Sequence, residues 1–297
     1  MIFFLGSQNE VVNKRKFTAL PYLLCLPAIL ILIYILYPFG VGLWYSLTDY
    51  VFYIPQKNFI GFSNYLKNFL SIDFWISLKI TLGYVIGVLC IEIPLGIGIA
   101  LLLDRSHQVF RYFLPLPLMI PLVTSALMWK LMMNPDSGVL NYLLSFIGVK
   151  PIGWLAIPNT ALYAIIFIDI WTFTPFVALI MLASIQNIPK DQTEAARIDG
   201  ANDWQVFYKI SIPFILPALL IVFLFRAIDS FNQFTLIYAT TQGGPGNATM
   251  TLHVRGWYDV IVASKIGMGM TNLIILWVIC YSLSTYILKL WSKRLTR

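Results

Sequence analysis

The sequence predicts an all-α polytopic membrane protein with six transmembrane helices. Apolar residues make up 59% of the 297-residue chain and charged residues only 11%, whereas an average soluble domain has about 25% charged residues. A soluble core of this size would leave much apolar surface in water, which argues against a soluble globular protein. An aromatic content of 15% and the short polar stretches argue against a disordered chain.

Six runs of the sequence are long and apolar enough to cross a bilayer, which takes about 20 residues in an α-helix. They are residues 19–47, 75–103, 111–133, 160–186, 212–240 and 266–290. The first run follows Lys14, Arg15 and Lys16, as in a signal peptide, but it is too long for a signal and lacks a clear cleavage site. We therefore expect it to remain as the first span of a single transmembrane domain that covers residues 1–297.

The distribution of Lys and Arg predicts the orientation of these spans. Six spans place both termini on one side, which then carries twelve basic residues against seven on the other side. Because basic residues concentrate on the cytoplasmic side of membrane proteins, both termini are predicted to be cytoplasmic. The net charge of +7 has the same explanation, so it does not indicate a nucleic-acid partner.

The sequence offers no candidate for covalent chemistry or metal binding. Cys25, Cys90 and Cys280 lie in apolar runs without metal-ligand or redox spacing. His107 and His253 are too far apart to suggest a metal site. Neither a phosphate-binding loop motif nor a nucleophilic-serine motif occurs. We therefore expect no catalytic residue, no metal and no cofactor in this chain.

The longest cytoplasmic loop in this topology, residues 187–211, predicts two short helices outside the membrane, set at an angle to each other. Pro189 can begin the first helix, and Gly200 suits a left-handed helix end. Trp204 and Phe207 stand at helical spacing in the second helix. Ordinary connecting helices would give the same amphipathic pattern, so these features alone leave a docking role open.

The fifth span contains four polar residues on one helical face, at positions i, i+3, i+4 and i+7. They are Arg226, Asp229, Ser230 and Gln233. Charged groups within a bilayer are costly and usually face a cavity or a partner. An intrahelical pair between Arg226 and Asp229 would account for two of these residues. A hydrated pathway would account for all four and is the favoured interpretation.

The fourth span repeats this spacing with Asp169, Thr172, Phe173 and Phe176. Polar groups beside aromatic faces suit a sugar, which has hydroxyls at its edge and C–H groups on its faces. Aromatic residues at helical spacing are also typical of plain packing. In the second span, Glu92 is predicted to accept a hydrogen bond from a neighbouring helix or to stay protonated, with no functional role assigned.

The loop 187–211 carries a run that resembles the EAA motif of binding-protein-dependent ABC importer permeases, in particular the maltose-type first permease of carbohydrate uptake systems. The run is Glu194-Ala195-Ala196-Arg197-Ile198-Asp199-Gly200-Ala201, followed by Phe207, Ile210, Pro213 and Pro217. Other matching pieces lie along the whole chain: Tyr37-Pro38, Gly61 with Asn64-Tyr65, Arg111 with Pro115, Trp154-Leu155, Trp171 with Pro175, and Thr241 with Gly243-Gly244-Pro245.

The resemblance implies a type I ABC importer permease fold and import of a sugar or oligosaccharide by alternating access. It implies that the EAA helix docks in a cleft of a cytoplasmic ATPase subunit, with Glu194 pairing with a basic residue there. Ala195 and Ala196 would form the close-contact face, and Asp199 belongs to the same motif. Gly200 would set the angle between the two short helices.

The resemblance also implies the assembly and its location. The partners would be a second homologous permease subunit, two ATPase subunits that bind ATP and Mg, and an extracytoplasmic sugar-binding protein. The assembly would lie in the cytoplasmic (inner) membrane of a bacterium or archaeon. The polar residues singled out in the fourth and fifth spans would line the sugar pathway: Thr172, Phe173, Phe176, Arg226, Asp229, Ser230 and Gln233, with Asp169 beside them.

Two other classes of membrane protein are disfavoured by the sequence. A secondary transporter should show inverted repeats or a proton-relay pair, and it has no use for a docking loop. No convincing internal repeat is present. A membrane enzyme would need a nucleophile or a metal cluster within the bilayer, and the spans offer neither.

Overall fold

The computed structural model describes residues 20–54, 56–106 and 108–295, and these residues form helices and connecting loops without a named strand. The helices of the first half are α1 Leu20–Ser46, α2 Ser63–Leu70, α3 Ile72–Asp104, α4 Val109–Phe113, α5 Leu116–Met119, α6 Leu122–Met132 and α7 Val139–Ser145. Those of the second half are α8 Pro158–Gln186, α9 Lys190–Ile198, α10 Asp203–Val206, α11 Ile212–Phe231, α12 Thr235–Thr241, α13 Leu252–Trp257 and α14 Ile266–Leu295. The basic residues Lys14–Lys16 and His107 lie outside the described residues.

Five of the continuous helical stretches are long and apolar enough to cross a membrane. They are Leu24–Ser46, Ile72–Asp104, Pro158–Gln186, Asp203–Thr241 and Ile266–Lys289. A sixth span is formed if the bent pair Val109–Met119 and Leu122–Met132 crosses as one unit. In order along the chain, these elements correspond to the six predicted runs. The described residues up to Gly42 form a compact unit of their own, and the described residues from Leu43 onward form the second unit.

The prediction of one helix over residues 111–133 was wrong, because this run bends by 93°. The break lies at Ile120 and Pro121, whose ψ angles of 126° and 136° are extended. A residue before proline is pushed out of the helical region by the proline ring. The third span therefore consists of two helical pieces.

The second short helix of the loop 187–211 was also predicted incorrectly as a separate element. Asp203–Val206 continues through a π-helical turn, Phe207–Ser211, directly into α11. Pro213 lies near the start of α11, where it cannot donate a backbone hydrogen bond. The wider π turn accommodates the missing backbone donor of Pro213, so the helix continues from Asp203 into α11 without a break.

The core of the second unit lies where α3 crosses α8. Gly96 approaches α8 so closely that an added Cβ would lie 2.5 Å from a methyl carbon of Val177. Gly87 similarly faces Ile166, at 2.8 Å from its terminal carbon. Small residues at such crossings allow helix backbones to pack closely in membranes. This crossing holds the polar groups of α3 and α8 beside those of α11.

The Gly-Gly-Pro segment after α12 contains no helix. Gly243 and Gly246 have φ angles of +88° and +56°, which only glycine adopts at little cost. The loop is closed by side-chain hydrogen bonds of Thr249, whose hydroxyl donates to the Gly244 carbonyl at 2.7 Å.

Candidate functional site

A buried cluster of charged side chains joins α3, α8 and α11. Arg226 on α11 is only 2% exposed, and all three of its guanidinium nitrogens donate to carboxylates. Nε lies 2.8 Å and 3.0 Å from the two oxygens of Glu92 on α3. Nη1 lies 2.5 Å from Asp229 Oδ2, and Nη2 donates to Asp169 on α8. One arginine thus connects three helices.

Uncharged groups complete the hydrogen bonds and contacts of this cluster. The Tyr84 hydroxyl donates to Asp169 Oδ2 at 2.5 Å, and Gln233 Nε2 donates to the same oxygen at 3.3 Å. The Phe173 ring covers one face of the guanidinium, with Cζ of Arg226 4.2 Å from the ring centroid, within the range of a cation–π contact. Each nitrogen of the guanidinium therefore has a carboxylate partner, and one face is covered by an aromatic ring.

The cluster contains three carboxyl groups and one guanidinium, and its members differ in exposure. The side chains of Glu92 and Asp169 are 0% exposed, whereas that of Asp229 is 52% exposed. Buried ions are tolerated when they are paired and hydrogen-bonded. The only cluster carboxylate that reaches the surface of the described chain is that of Asp229.

The structure brings most of the predicted pathway residues together but buries many of them. Asp229 is exposed, Phe173 and Phe176 are partly exposed, and the others are buried: Asp169, Thr172, Arg226, Ser230 and Gln233. Thr172 donates to the Ile168 carbonyl at 2.8 Å. The Ser230 hydroxyl is buried without a hydrogen-bond partner among the described residues. Their role in a pathway remains a prediction.

The two interpretations of the fifth span are partly reconciled by this geometry. The pair between Arg226 and Asp229 is present, but Arg226 also binds carboxylates from two other helices. The expectation that Glu92 accepts a hydrogen bond from a neighbouring helix is confirmed. Sequence analysis assigned no function to Glu92, although a carboxyl group inside an apolar span was a signal that it has a partner.

The exposed face of α11 includes residues that the sequence analysis did not select. Phe225, one turn before Asp229, is 60% exposed, and Asn232, one turn after it, is also exposed. Spacings of four and three residues from Asp229 place them on its face. This spacing was the available signal. We name Phe225, Asp229 and Asn232 the α11 stripe.

The end of the α11 stripe is fixed by a contact from α13. His253 Nδ1 lies 2.8 Å from the Asn232 carbonyl oxygen. Burial lowers the pKa of His253, although its hydrogen bond to Asn232 acts in the opposite direction. The neutral ring is thus favoured at this position.

Helix α9 carries most of the EAA-like run of the loop 187–211 and ends as the sequence predicts. The Gly200 N–H donates to the Arg197 carbonyl at 3.0 Å, and the Ala201 N–H donates to the Ala196 carbonyl at 2.9 Å. Gly200 has a φ of +85°. These two bonds and the left-handed residue define a Schellman helix end.

The two faces of α9 have different surroundings. Lys190, Thr193 and Arg197 line a cavity of about 440 Å³ that α3 and the α10 region also border. The opposite face is exposed and comprises Asp191, Glu194, Ala195 and Ile198, with Ile198 86% exposed. Of the predicted coupling residues, Asp199 and Gly200 are exposed and Ala196 is partly exposed.

Asp203 connects α9 to the end of α3. It lies 3.2 Å from Arg197 and 3.5 Å from Arg105. A reciprocal capping box between Asn202 and Gln205 starts the next helix, which fixes the direction of the chain after α9. The side of the loop that faces α3 thus has polar partners, whereas Glu194 on the opposite face of α9 is exposed.

Comparison with known proteins assigns the family. Residues 92–297 match the family described as "Binding-protein-dependent transport system inner membrane component". The chain belongs to this family. It is therefore a membrane-embedded permease subunit of a transport system, as the resemblance implied.

Relatives of this permease are known in archaea and bacteria. The chain is 35% identical to the trehalose/maltose transport system permease protein MalF of Thermococcus litoralis, over 95% of this chain and 97% of that protein. It is 28% identical to the trehalose transport system permease protein SugA of Mycobacterium tuberculosis, over 90% and 85% of the two chains.

A solved structure shares the fold of this permease. It is a bacterial ABC transporter involved in the import of the acidic polysaccharide alginate, with a TM-score of 0.81 and 24% sequence identity, over 94% of this chain and 96% of that one. The predicted type I importer permease fold is confirmed.

Proposed function

We propose that the permease is a subunit of an ATP-driven importer that translocates a sugar or an oligosaccharide by alternating access. Its relatives from Thermococcus and Mycobacterium are named as permeases for trehalose or maltose. The binding-protein dependence in the family's description supports an extracytoplasmic solute-binding protein as a partner. A second homologous permease subunit and two ATPase subunits would complete the assembly in the bilayer.

The observation that carries this proposal is the bare face of α9. Asp191, Glu194, Ala195 and Ile198 are exposed on one side of α9, whereas Arg197 on its other side forms an ion pair with Asp203. An exposed carboxylate beside a small residue and an apolar residue suits a partner surface with a basic group and an apolar recess. We assign Glu194, Ala195, Ala196, Asp199 and Gly200 to contact with the ATPase.

The permease itself would supply no catalytic group. ATP and Mg would be bound by the partner ATPase, and this chain would need no cofactor of its own. Movement of α9 would pass through the Gly200 turn and the π-helical turn into α11, since these segments are continuous in the chain. Both chain termini and residues 187–211 would face the cytoplasm.

The α8 and α11 residues around Arg226 would belong to the solute pathway. Asp229 is the exposed member of this group, and Phe173 and Phe176 are partly exposed. The buried members, Asp169, Thr172, Arg226, Ser230 and Gln233, would hold its shape or become accessible when the helices rock.

A charge reversal at Glu194 tests the coupling role. In the complex reconstituted with its ATPase, second permease and binding protein, Glu194→Lys is expected to abolish most uptake and most of the solute-stimulated ATPase rate, since the substituted group would repel a basic partner. The membrane-inserted amount should stay unchanged.

Asp136→Lys is the matched control, because Asp136 is exposed in a different loop, between α6 and α7. It should leave both rates at the wild-type level. Wild-type uptake and stimulated ATPase activity in Glu194→Lys would contradict the coupling assignment.

A further inference from the structure

The positive charge of the candidate pathway is not available to a solute. Each guanidinium nitrogen of Arg226 already donates to a carboxylate, and the side chain is 2% exposed. Phe173 covers one face of the guanidinium. Arg226 is also the only basic residue of α11. An anionic group that reached the α11 stripe would therefore find no free arginine there.

The negative charge of the same site is available. The Asp229 side chain is 52% exposed, and Arg226 contacts only its Oδ2. No other hydrogen bond from the described part of the chain reaches this carboxylate. An exposed carboxylate within an apolar span is costly against lipid, so it faces water or a partner subunit. A solute that passes along this face meets the carboxylate.

The other two residues of the α11 stripe suit an uncharged polyol. The Phe225 ring is 60% exposed and offers an apolar face to the C–H groups of a sugar ring. The Asn232 side-chain amide already donates to the Ile228 carbonyl at 2.8 Å, and its oxygen can accept from a hydroxyl. A carboxylate accepts hydrogen bonds from hydroxyls but repels carboxylates and phosphates.

We propose that this permease is selective for uncharged saccharides and rejects anionic ones, and that Asp229 is the residue responsible. The inference rests on the proposed function, because it takes the α11 stripe to be part of the sugar pathway. Arg226 acts as a positioning residue: it holds Asp229 in place and is itself shielded from the solute.

The test compares two probes that differ in charge, trehalose and trehalose 6-phosphate. Their binding to the purified permease assembly, without its binding protein, is measured by saturation-transfer difference NMR. The wild-type assembly should bind trehalose at least about tenfold more tightly, since like charges a few ångströms apart in a partly shielded site repel strongly.

Asp229→Asn keeps the shape of the side chain and an acceptor for Arg226 while it removes the charge. It should reduce the preference for trehalose over trehalose 6-phosphate about tenfold, because the repulsion of the phosphate is lost. Asp136→Asn, which removes an equal charge from a loop outside the pathway, should leave the wild-type preference intact.

The outcomes separate this inference from the proposed function. Equal affinity of the wild-type assembly for both probes, or an unchanged preference in Asp229→Asn, would overturn the selectivity while sugar binding stands. If neither probe bound the wild-type assembly, the inference would fail, whereas the sugar permease proposal would fail only if the assembly reconstituted with its binding protein and ATPase took up no uncharged saccharide.

Discussion

Arg226 is the residue on which the arrangement of three helices depends. Its planar guanidinium can donate in several directions at once, which a lysine cannot do. Here it binds Glu92, Asp169 and Asp229, two of which are fully buried. Removing the arginine would leave Glu92 and Asp169 buried without a counter-charge.

Arg226→Leu is therefore expected to lower the free energy of unfolding by about 3–5 kcal/mol, the usual cost of breaking a buried ion pair by removing one partner. The fall should appear as a lower thermal unfolding midpoint of the purified protein in detergent. Arg226→Lys should recover only part of this loss.

Arg105→Leu is the control for a lost arginine at the surface. Arg105 and Asp203 are 69% and 62% exposed, and such pairs contribute about 0–1 kcal/mol. Equal unfolding midpoints for the Arg226→Leu and Arg105→Leu variants would show that the buried cluster does not hold the helices together.

The sequence predicts only the local contacts of this cluster, because the other contacts depend on how distant helices pack. The spacing of Arg226 and Asp229 is local, so helical periodicity predicts their contact. Glu92 is 134 positions away from Arg226, and its pairing depends on how α3 packs against α11. Tyr84, which binds Asp169 from α3, gave no signal, because a tyrosine in an apolar span is unremarkable.

At the scale of single elements, local rules worked where the chain has strong conformational constraints. The Schellman end at Gly200 and the irregular Gly-Gly-Pro loop follow from glycine and proline geometry. The bend at Pro121 was missed because a count of apolar residues measures length and not direction. The join between α10 and α11 was missed because the apolar run that predicts the fifth span begins only at residue 212.

The Gly200 turn sets the direction in which the chain leaves α9, so its backbone should matter for coupling. Gly200→Val places a β-branched residue at a φ of +85°, which costs about 1–2 kcal/mol. The turn is expected to change geometry to relieve this strain. Solute-stimulated ATPase activity should then fall severalfold in the reconstituted complex, while the basal rate persists.

Gly148→Val provides a matched backbone control. Gly148 has a φ of +76°, and an added Cβ meets nothing within 4 Å at either glycine. Strain of the same kind is thus introduced after α7, away from the loop 187–211. A loss of stimulation in Gly148→Val as large as in Gly200→Val would mean that coupling does not depend on the α9 turn.

At the scale of the whole molecule, composition and run length were sufficient to predict the membrane-spanning elements in order. These quantities depend on the bilayer, which imposes the same thickness on every span. They do not determine which spans pack together. The pairing of spans depends on individual side-chain contacts, such as the close approach of Gly96 to α8.

The orientation of the whole chain in the membrane, with residues 187–211 on the cytoplasmic side, can be tested by labelling single cysteines. Asp136 and Asp191 are exposed and lie on opposite sides of one span, α8. In a background without Cys25, Cys90 and Cys280, Asp191→Cys is expected to react with a membrane-impermeant maleimide only in inside-out vesicles. Asp136→Cys should react only in right-side-out vesicles.

The reasoning behind this expectation is electrostatic, since the side assigned to α9 carries the larger number of basic residues. A C-terminal cysteine, placed after α14, should follow the pattern of Asp191→Cys because two further spans separate them. If Asp191→Cys reacted from outside instead, the ATPase could not reach Glu194. Both the predicted topology and the coupling role of α9 would then have to be abandoned, although the buried Arg226 cluster would remain.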